Sequence, residues 1–366
     1  MSSSLSQFAV IWFLLKAGVS PSLSVVAGSI GMAVSLPLSL WGGNIGDEYP
    51  RKNVFKKVAI AGLLISFAIL SVYFLTGSIW LLILEAILLG VIPVFTLPVG
   101  VAAITTFLSP ESAARGQTTL LNTYQVSMLA APALGALIIA LLGDDALVIS
   151  IFIVFSFSLV SLFLKENLGH GQPDNKRKIS VGLKEVIKVP MVSTLLIIGF
   201  IWNVTNIHNR LIIPLFESSF SATQVSIIFL SGAAAILISP LLLRPKKNLL
   251  QNVAVLMMIE SLAMTALTVF DSLWLIIPTF VILASSTAAI VGGIAGARTL
   301  FLPDSLQSLT AASGQLLNRL GYVLATVLGA TIFTFLNSYQ TTFLLGGIAM
   351  FVLSVIVFIR SKDFVA

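Results

Sequence analysis

Long apolar runs recur along almost the whole chain, separated by short polar islands. The first, from Leu5 to about Leu15, is too short to cross a bilayer alone, and Gly18 and Pro21 mark a turn after it. Longer runs follow at about 22–43, 58–75, 79–106, 118–142 and 146–164, then at about 191–216, 221–243, 249–269, 273–302, 314–336 and 340–359. Roughly 20 apolar residues in a helix match a ~30 Å hydrocarbon core. Barrel strands would alternate at every second residue, and these runs do not. The pattern predicts an all-α polytopic membrane protein of about 12 spans, the first one short.

Composition agrees. The 366 residues are 57% hydrophobic and 9% charged, with mean hydropathy +1.06; a soluble domain carries roughly 25% charged residues. There is no cysteine, so disulfide and thiol chemistry are excluded, and two histidines, His170 and His208, are too few for a histidine-built metal site. No cofactor or metal is expected. The net charge of +6 comes from basic residues in the short loops. Anionic lipid headgroups and topology account for these better than nucleic acid does. Every Lys and Arg except Lys16, Arg210 and Arg319 falls on one side of the predicted spans. The positive-inside rule then puts both termini in the cytoplasm, in a multi-pass plasma-membrane protein. No cleavable signal peptide is expected, because Met1-Ser2-Ser3-Ser4 has no basic residue ahead of its apolar run.

Glu166 to Pro190 is the longest polar stretch and contains Lys176-Arg177-Lys178. It divides the chain into a bundle at 1–165, a linker at 166–190 and a second bundle at 191–366. Internal repeats support the division. Phe107-Leu108-Ser109-Pro110-Glu111 returns as Phe301-Leu302-Pro303-Asp304, Leu120-Leu121-Asn122 as Leu316-Leu317-Asn318, and Leu134-Gly135-Ala136 as Leu328-Gly329-Ala330. Aligning Ser20 with Ser221 sets Met1 beside Trp202. The first helix is therefore shorter than its partner by roughly one to three turns. Either the start lies upstream or the first helix is half-length.

A charge at the bilayer centre costs about 2.5–3.5 kcal/mol on insertion scales, so each one needs a reason. Glu85, Arg210, Glu260 and Arg319 fall within spans. Glu85 and Glu260 are candidates for proton coupling; the other reading of Glu85 is a carboxylate reaching water. In the seventh span Asn203, Asn206 and Arg210 sit at i, i+3 and i+7 and share one helical face. Asn122 and Gln125 make a similar polar pair in the fifth span. The competing reading is that the asparagines bond helix to helix and the arginines pair with carbonyls or carboxylates. His208 reads as a packed histidine rather than a relay.

The island between the second and third spans is Gly43-x-x-x-Asp47-x-x-x-Arg51-Lys52. It resembles the loop signature of the major facilitator superfamily, with Glu48 and Pro50 standing where that signature has a base and a glycine. Ala131-Pro132-Ala133-Leu134-Gly135-Ala136 is similar to a degenerate form of the fifth-helix motif of the family's antiporters, although close packing explains it as well. The resemblance implies a major facilitator fold of two pseudo-symmetric six-helix bundles. It also implies a cavity lined by Asn122, Gln125, Asn203, Asn206, Arg210 and Arg319, and a cytoplasmic gate of Gly43, Asp47, Arg51, Lys52, Glu111 and Arg115, with Arg51 pairing to loop acids such as Glu111. The implied function is secondary transport of a small organic solute by alternating access, as an exporter, by a monomer in contact with membrane lipids, with protons as the candidate coupling ion. Metabolite uptake and a non-transporting, receptor-like role are the alternatives. An enzyme is disfavoured, because no His-Glu-x-x-His, Gly-x-Ser-x-Gly or Asp-Asp-x-x-Asp pattern occurs.

Overall fold

The structure, a computed structural model, describes all residues except 40, 43–44, 46–48, 164–183, 185–186, 240–247, 302–306 and 362–366. At 105–106, 110–111, 161, 209–210, 217, 298–300 and 307–309 it describes the backbone only. In the first half the helices are α1 (Ser2–Lys16), α2 (Pro21–Ser35), α3 (Arg51–Thr76), α4 (Ile79–Phe107), α5 (Pro110–Leu142) and α6 (Asp144–Ser156). In the second half they are α7 (Pro190–Thr205), α8 (His208–Ser219), α9 (Ala222–Ile236), α10 (Leu249–Ala266), α11 (Leu273–Phe301), α12 (Gln307–Leu336) and α13 (Tyr339–Arg360). Seven helices among the described residues, α3–α5 and α10–α13, are long and apolar enough to cross a membrane unaided.

Local chemistry sets many of these ends. Proline stands at the first helical position of α2, α5 and α7, where its missing N–H costs nothing. Ser221 and Gln224 form a reciprocal capping box on α9. Gly77 closes α3 at φ 64°, in the left-handed region that suits a residue without Cβ. Beyond α2, Pro37 has no N–H to extend the ladder, and residues 36–38 are turns rather than helix. α4 runs unbroken through Pro93 and Pro98.

Two expectations need correction. The sixth span stops being α-helical at Ser156 and continues as a 3₁₀ turn, Phe157–Phe163. The seventh is two helices, not one, with a break at Asn206 (φ −78°, ψ 48°) between α7 and α8. Asn, Thr and Ile crowd this point, and all three are weaker helix formers than Leu or Ala, because of β-branching or competing side-chain hydrogen bonds. Asn203 and Asn206 therefore do not share a continuous helical face with Arg210.

Each half packs mainly on itself: α2, α3 and α1 lie on α4, while α10 packs on α13 and α11, and α7 on α12. Small residues permit the tightest crossings. A Cβ at Gly31 would lie 2.4 Å from the Ala86 carbonyl oxygen, and one at Gly90 would lie 2.8 Å from the Gly31 backbone. At one end of the first half, Lys16 of α1 pairs with Asp144 of α6, and Trp12 Nε1 donates to the same carboxylate at 3.2 Å. The halves meet along α5 with α9 and α11, and along α12 with α2 and α4.

Candidate functional site between the halves

A cavity of about 650 Å³, including its open mouth, lies on the α5 seam. Its wall comes from α5 of the first half and α8, α9, α11 and α12 of the second. Phe229, Phe280 and Leu283 make much of it apolar, while Gln125, His208 and Thr287 supply polar points. This mixture suits a small organic molecule with an apolar body and a few hydrogen-bonding groups. A second cavity, about 470 Å³, lies nearer the N-terminal end of α5 and is more polar, with Gln117, Thr310, Gln315 and Asn318 on its wall.

Between the two levels the halves touch closely. Thr118 Oγ1 donates to the Gly292 carbonyl at 3.0 Å, and Asn122 Nδ2 donates to Ser239 Oγ at 3.0 Å. A Cβ at Gly292 would fall 2.8 Å from Asn122 Oδ1, and one at Gly296 would fall 2.6 Å from Thr118 Oγ1. Further along α5, Ser226 of α9 donates to the Ala133 carbonyl. On the other seam Arg319 Nη1 of α12 donates to Ser35 Oγ of α2, with a longer contact of 3.5 Å to the Gly90 carbonyl of α4. Thr334 of α12 donates to Ser22 of α2 at 2.8 Å. Small side chains, hydroxyls and carbonyls make these contacts, and no carboxylate pairs with Arg319 among the described residues.

Among the described residues, each half also holds one fully buried carboxylate. Glu85 of α4 accepts from Ser66 Oγ of α3 at 2.5 Å; its Oε2 has no hydrogen-bond partner among the described residues. The water-reaching alternative for Glu85 is thereby corrected. Glu260 of α10 accepts from Trp202 Nε1 at 2.8 Å through Oε2 and from Thr287 Oγ1 at 2.6 Å through Oε1. Asn206, in the α7–α8 break, faces the same carboxylate without meeting hydrogen-bond geometry.

The sequence-derived residues divide accordingly. Gln125 lines the larger cavity. Asn122 lies against Ser239, and Arg319 against α2 and α4. Asn203 donates to the Gly199 carbonyl at 2.7 Å and to Asn318 Oδ1 at 3.3 Å, tying α7 to α12. Asn206 is buried at the break. Neither Asn203 nor Asn206 lines either cavity. Arg51 is buried and donates Nη1 to the Ala102 carbonyl of α4 at 2.9 Å. Lys52 is partly buried and Arg115 exposed. Gly43 and Asp47 lie outside the described residues, as do the side chains of Glu111 and Arg210. His208 packs edge-on to Phe343, with ring centroids 6.0 Å apart, as well as lining the cavity. Sequence reasoning missed Ser35, Ser66, Trp202, Ser239 and Thr287. Hydroxyl side chains recur in apolar spans, usually bonding their own helix, and nothing in the local pattern marks these as different.

The Major Facilitator Superfamily profile matches residues 1–325. The chain belongs to that superfamily. Its fold is similar to that of the human organic anion transporter MFSD10 (TM-score 0.72, 15% identity, 96% of this chain and 89% of that one covered). It is also similar to a bacterial homologue of the iron transporter ferroportin in its outward-facing state (TM-score 0.61, 15% identity, 99% and 98% covered). No curated protein sequence matches it. This superfamily member is a multi-pass membrane protein built for transport.

Proposed function

We propose that the protein exports a small, partly apolar organic solute across the plasma membrane by alternating access, as a monomer with both termini in the cytoplasm. The halves, 1–165 and 191–366, rock about the seam joined by the 166–190 linker. The observation that carries this reading is the larger cavity, walled by helices of both halves, so that relative motion changes its access. An anionic solute is favoured. Among the described residues, Arg319 places a cation between the halves that donates to a hydroxyl and a carbonyl and pairs with no carboxylate, and a charge left uncompensated within the membrane attracts an anion. The similarity in fold to MFSD10, an organic anion transporter, is consistent with that choice.

On this reading Asp47, Arg51, Lys52, Glu111 and Arg115 form the cytoplasmic gate with Gly43, and Glu85 and Glu260 are the proton-coupling candidates. Reconstitution into liposomes, with and without a pH gradient, tests the proposal. Radiolabelled benzoate should move faster than benzyl alcohol does relative to empty vesicles, and Arg319→Ala should remove most of that difference. Equal movement in protein-free vesicles would refute transport of this class. Asp47→Asn should slow flux while the protein still inserts; unchanged flux removes the gate assignment.

A further inference from the structure

We propose that Thr287 is a hydroxyl switch linking protonation of Glu260 to solute binding in the larger cavity, favouring a solute with a hydrogen-bond acceptor such as a carboxylate. This rests on the cavity being the solute site. Among the described residues, Thr287 is the side chain that both lines the cavity and bonds Glu260. It is part of the cavity wall, and its Oγ1 is 2.6 Å from Glu260 Oε1. Glu260 itself is wholly buried and lies behind that wall.

The arithmetic of donors makes the link. A hydroxyl has one hydrogen and two lone pairs. When Glu260 is a carboxylate, Thr287 gives its hydrogen to Oε1 and shows the cavity only lone pairs. When Oε1 takes up a proton, that new O–H donates to Thr287 Oγ1, and the threonine hydrogen turns outward to donate to a solute acceptor. Loss of the proton from Oε1 reverses both steps. Trp202 Nε1–H can only donate, and it serves Oε2 in either state. Trp202 therefore senses the change without competing for it.

The surroundings leave few other titrating groups in reach. Glu260 is the sole ionisable residue of α10, and α7 contributes none. α11 carries only Arg298 near its end, and α13 carries Tyr339 and Arg360 at its ends. From α8 come His208, on the same cavity wall, together with Arg210 and Glu217, whose side chains are outside the described set. From α12 come Tyr322 on the wall and Arg319, turned to α2 and α4. His208 is buried with no hydrogen-bond partner at Nδ1 among the described residues, so it is the competitor that a test must separate.

The test uses the full chain in lipid nanodiscs with two readouts. Tryptophan fluorescence is followed against pH, with Trp202→Phe identifying the Trp202 contribution, and radiolabelled benzoate binding is measured at acid and alkaline pH. In the unaltered protein the Trp202 signal should titrate, and benzoate should bind about tenfold more tightly at acid pH, the worth of one hydrogen bond to a charged group. Glu260→Gln should abolish the titration and make binding independent of pH. Thr287→Val should also make binding independent of pH, and Thr287→Ser should restore the dependence, which a merely structural threonine would not do. Titration that survives Glu260→Gln, or that disappears in His208→Gln, overturns the proposal. So does pH-dependent binding that survives Thr287→Val. If benzoate binds at no pH, the anionic-solute reading fails, and the switch stands or falls on whether Thr287→Val alters the Trp202 titration.

Discussion

In the first half the buried carboxylate, Glu85, sits on the fourth helix and takes one hydroxyl bond from Ser66 on the third. In the second half the positions are exchanged. Glu260 sits on α10, the counterpart of α3, and takes its hydroxyl bond from Thr287 on α11, the counterpart of α4. The second site adds Trp202 and opens, through Thr287, onto a cavity. Among the described residues Glu85 has no second donor, and it lies beside an apolar cluster that includes Leu70, Leu82 and Ala86. Similar helix pairs thus hold one carboxylate behind the wall of the larger cavity and one beside apolar packing. Pseudo-symmetry positions the pair of helices; the side chains decide whether the pair can communicate.

The repeated Leu-Gly-Ala motif differs between halves in the same way. Gly135 on α5 receives the ring of Phe8 from α1, a continuous helix, with a Cβ there 2.6 Å from a ring carbon. Gly329 on α12 receives the Ile207 carbonyl from the broken seventh segment, again at 2.6 Å. One glycine accommodates a side chain and the other accommodates bare backbone freed by the break.

The sharpest way to break this comparison is at the two glycines. Gly329→Leu should abolish recovery of folded protein, since the Ile207 backbone cannot turn aside. Gly135→Ala should cost about 1–3 kcal/mol, because the Phe8 ring can shift with α1. Monodispersity on size exclusion and thermal unfolding in detergent measure both. If Gly135→Ala proves the worse of the two, the contrast between ring and backbone is wrong.

A smaller effect separates the carboxylates. Ser66→Ala leaves Glu85 with no remaining donor among the described residues and should cost about 1.5–3 kcal/mol. Thr287→Val leaves Trp202 still bonded to Glu260 and should cost about 1 kcal/mol less than that. Melting temperatures of the two variants, compared in one detergent, give the order. The smallest effect belongs to the exposed end of the first half. Lys16→Ala removes an ion pair whose lysine is 62% exposed, and should change stability by at most about 1 kcal/mol, the remaining difference vanishing in high salt.

How much of this was legible depended on the residue. Third, fourth, tenth, eleventh and twelfth helices fall where the apolar runs put them, because membrane-spanning length is a property of the run itself. Glu85, Glu260 and Arg319 stood out because a charge in an apolar run is costly wherever it lands. Their partners did not stand out. Ser66 lies 19 residues from Glu85, Thr287 lies 27 from Glu260, and Ser35 lies 284 from Arg319. A hydroxyl that bonds its own helix and one that bonds another helix look alike in a sequence.

The sequence by itself determined the all-helical membrane architecture, the superfamily and the identity of the buried charges, since these follow from hydropathy, loop residues and composition. Tertiary structure alone decided that the seventh segment breaks at Asn206, that Asn203 joins α7 to α12, and that Thr287 stands between Glu260 and the space between the halves. The reason is physical. Burial in lipid depends on each segment's own residues, whereas a hydrogen bond between helices depends on which faces the packing of the whole bundle brings within about 3 Å of each other.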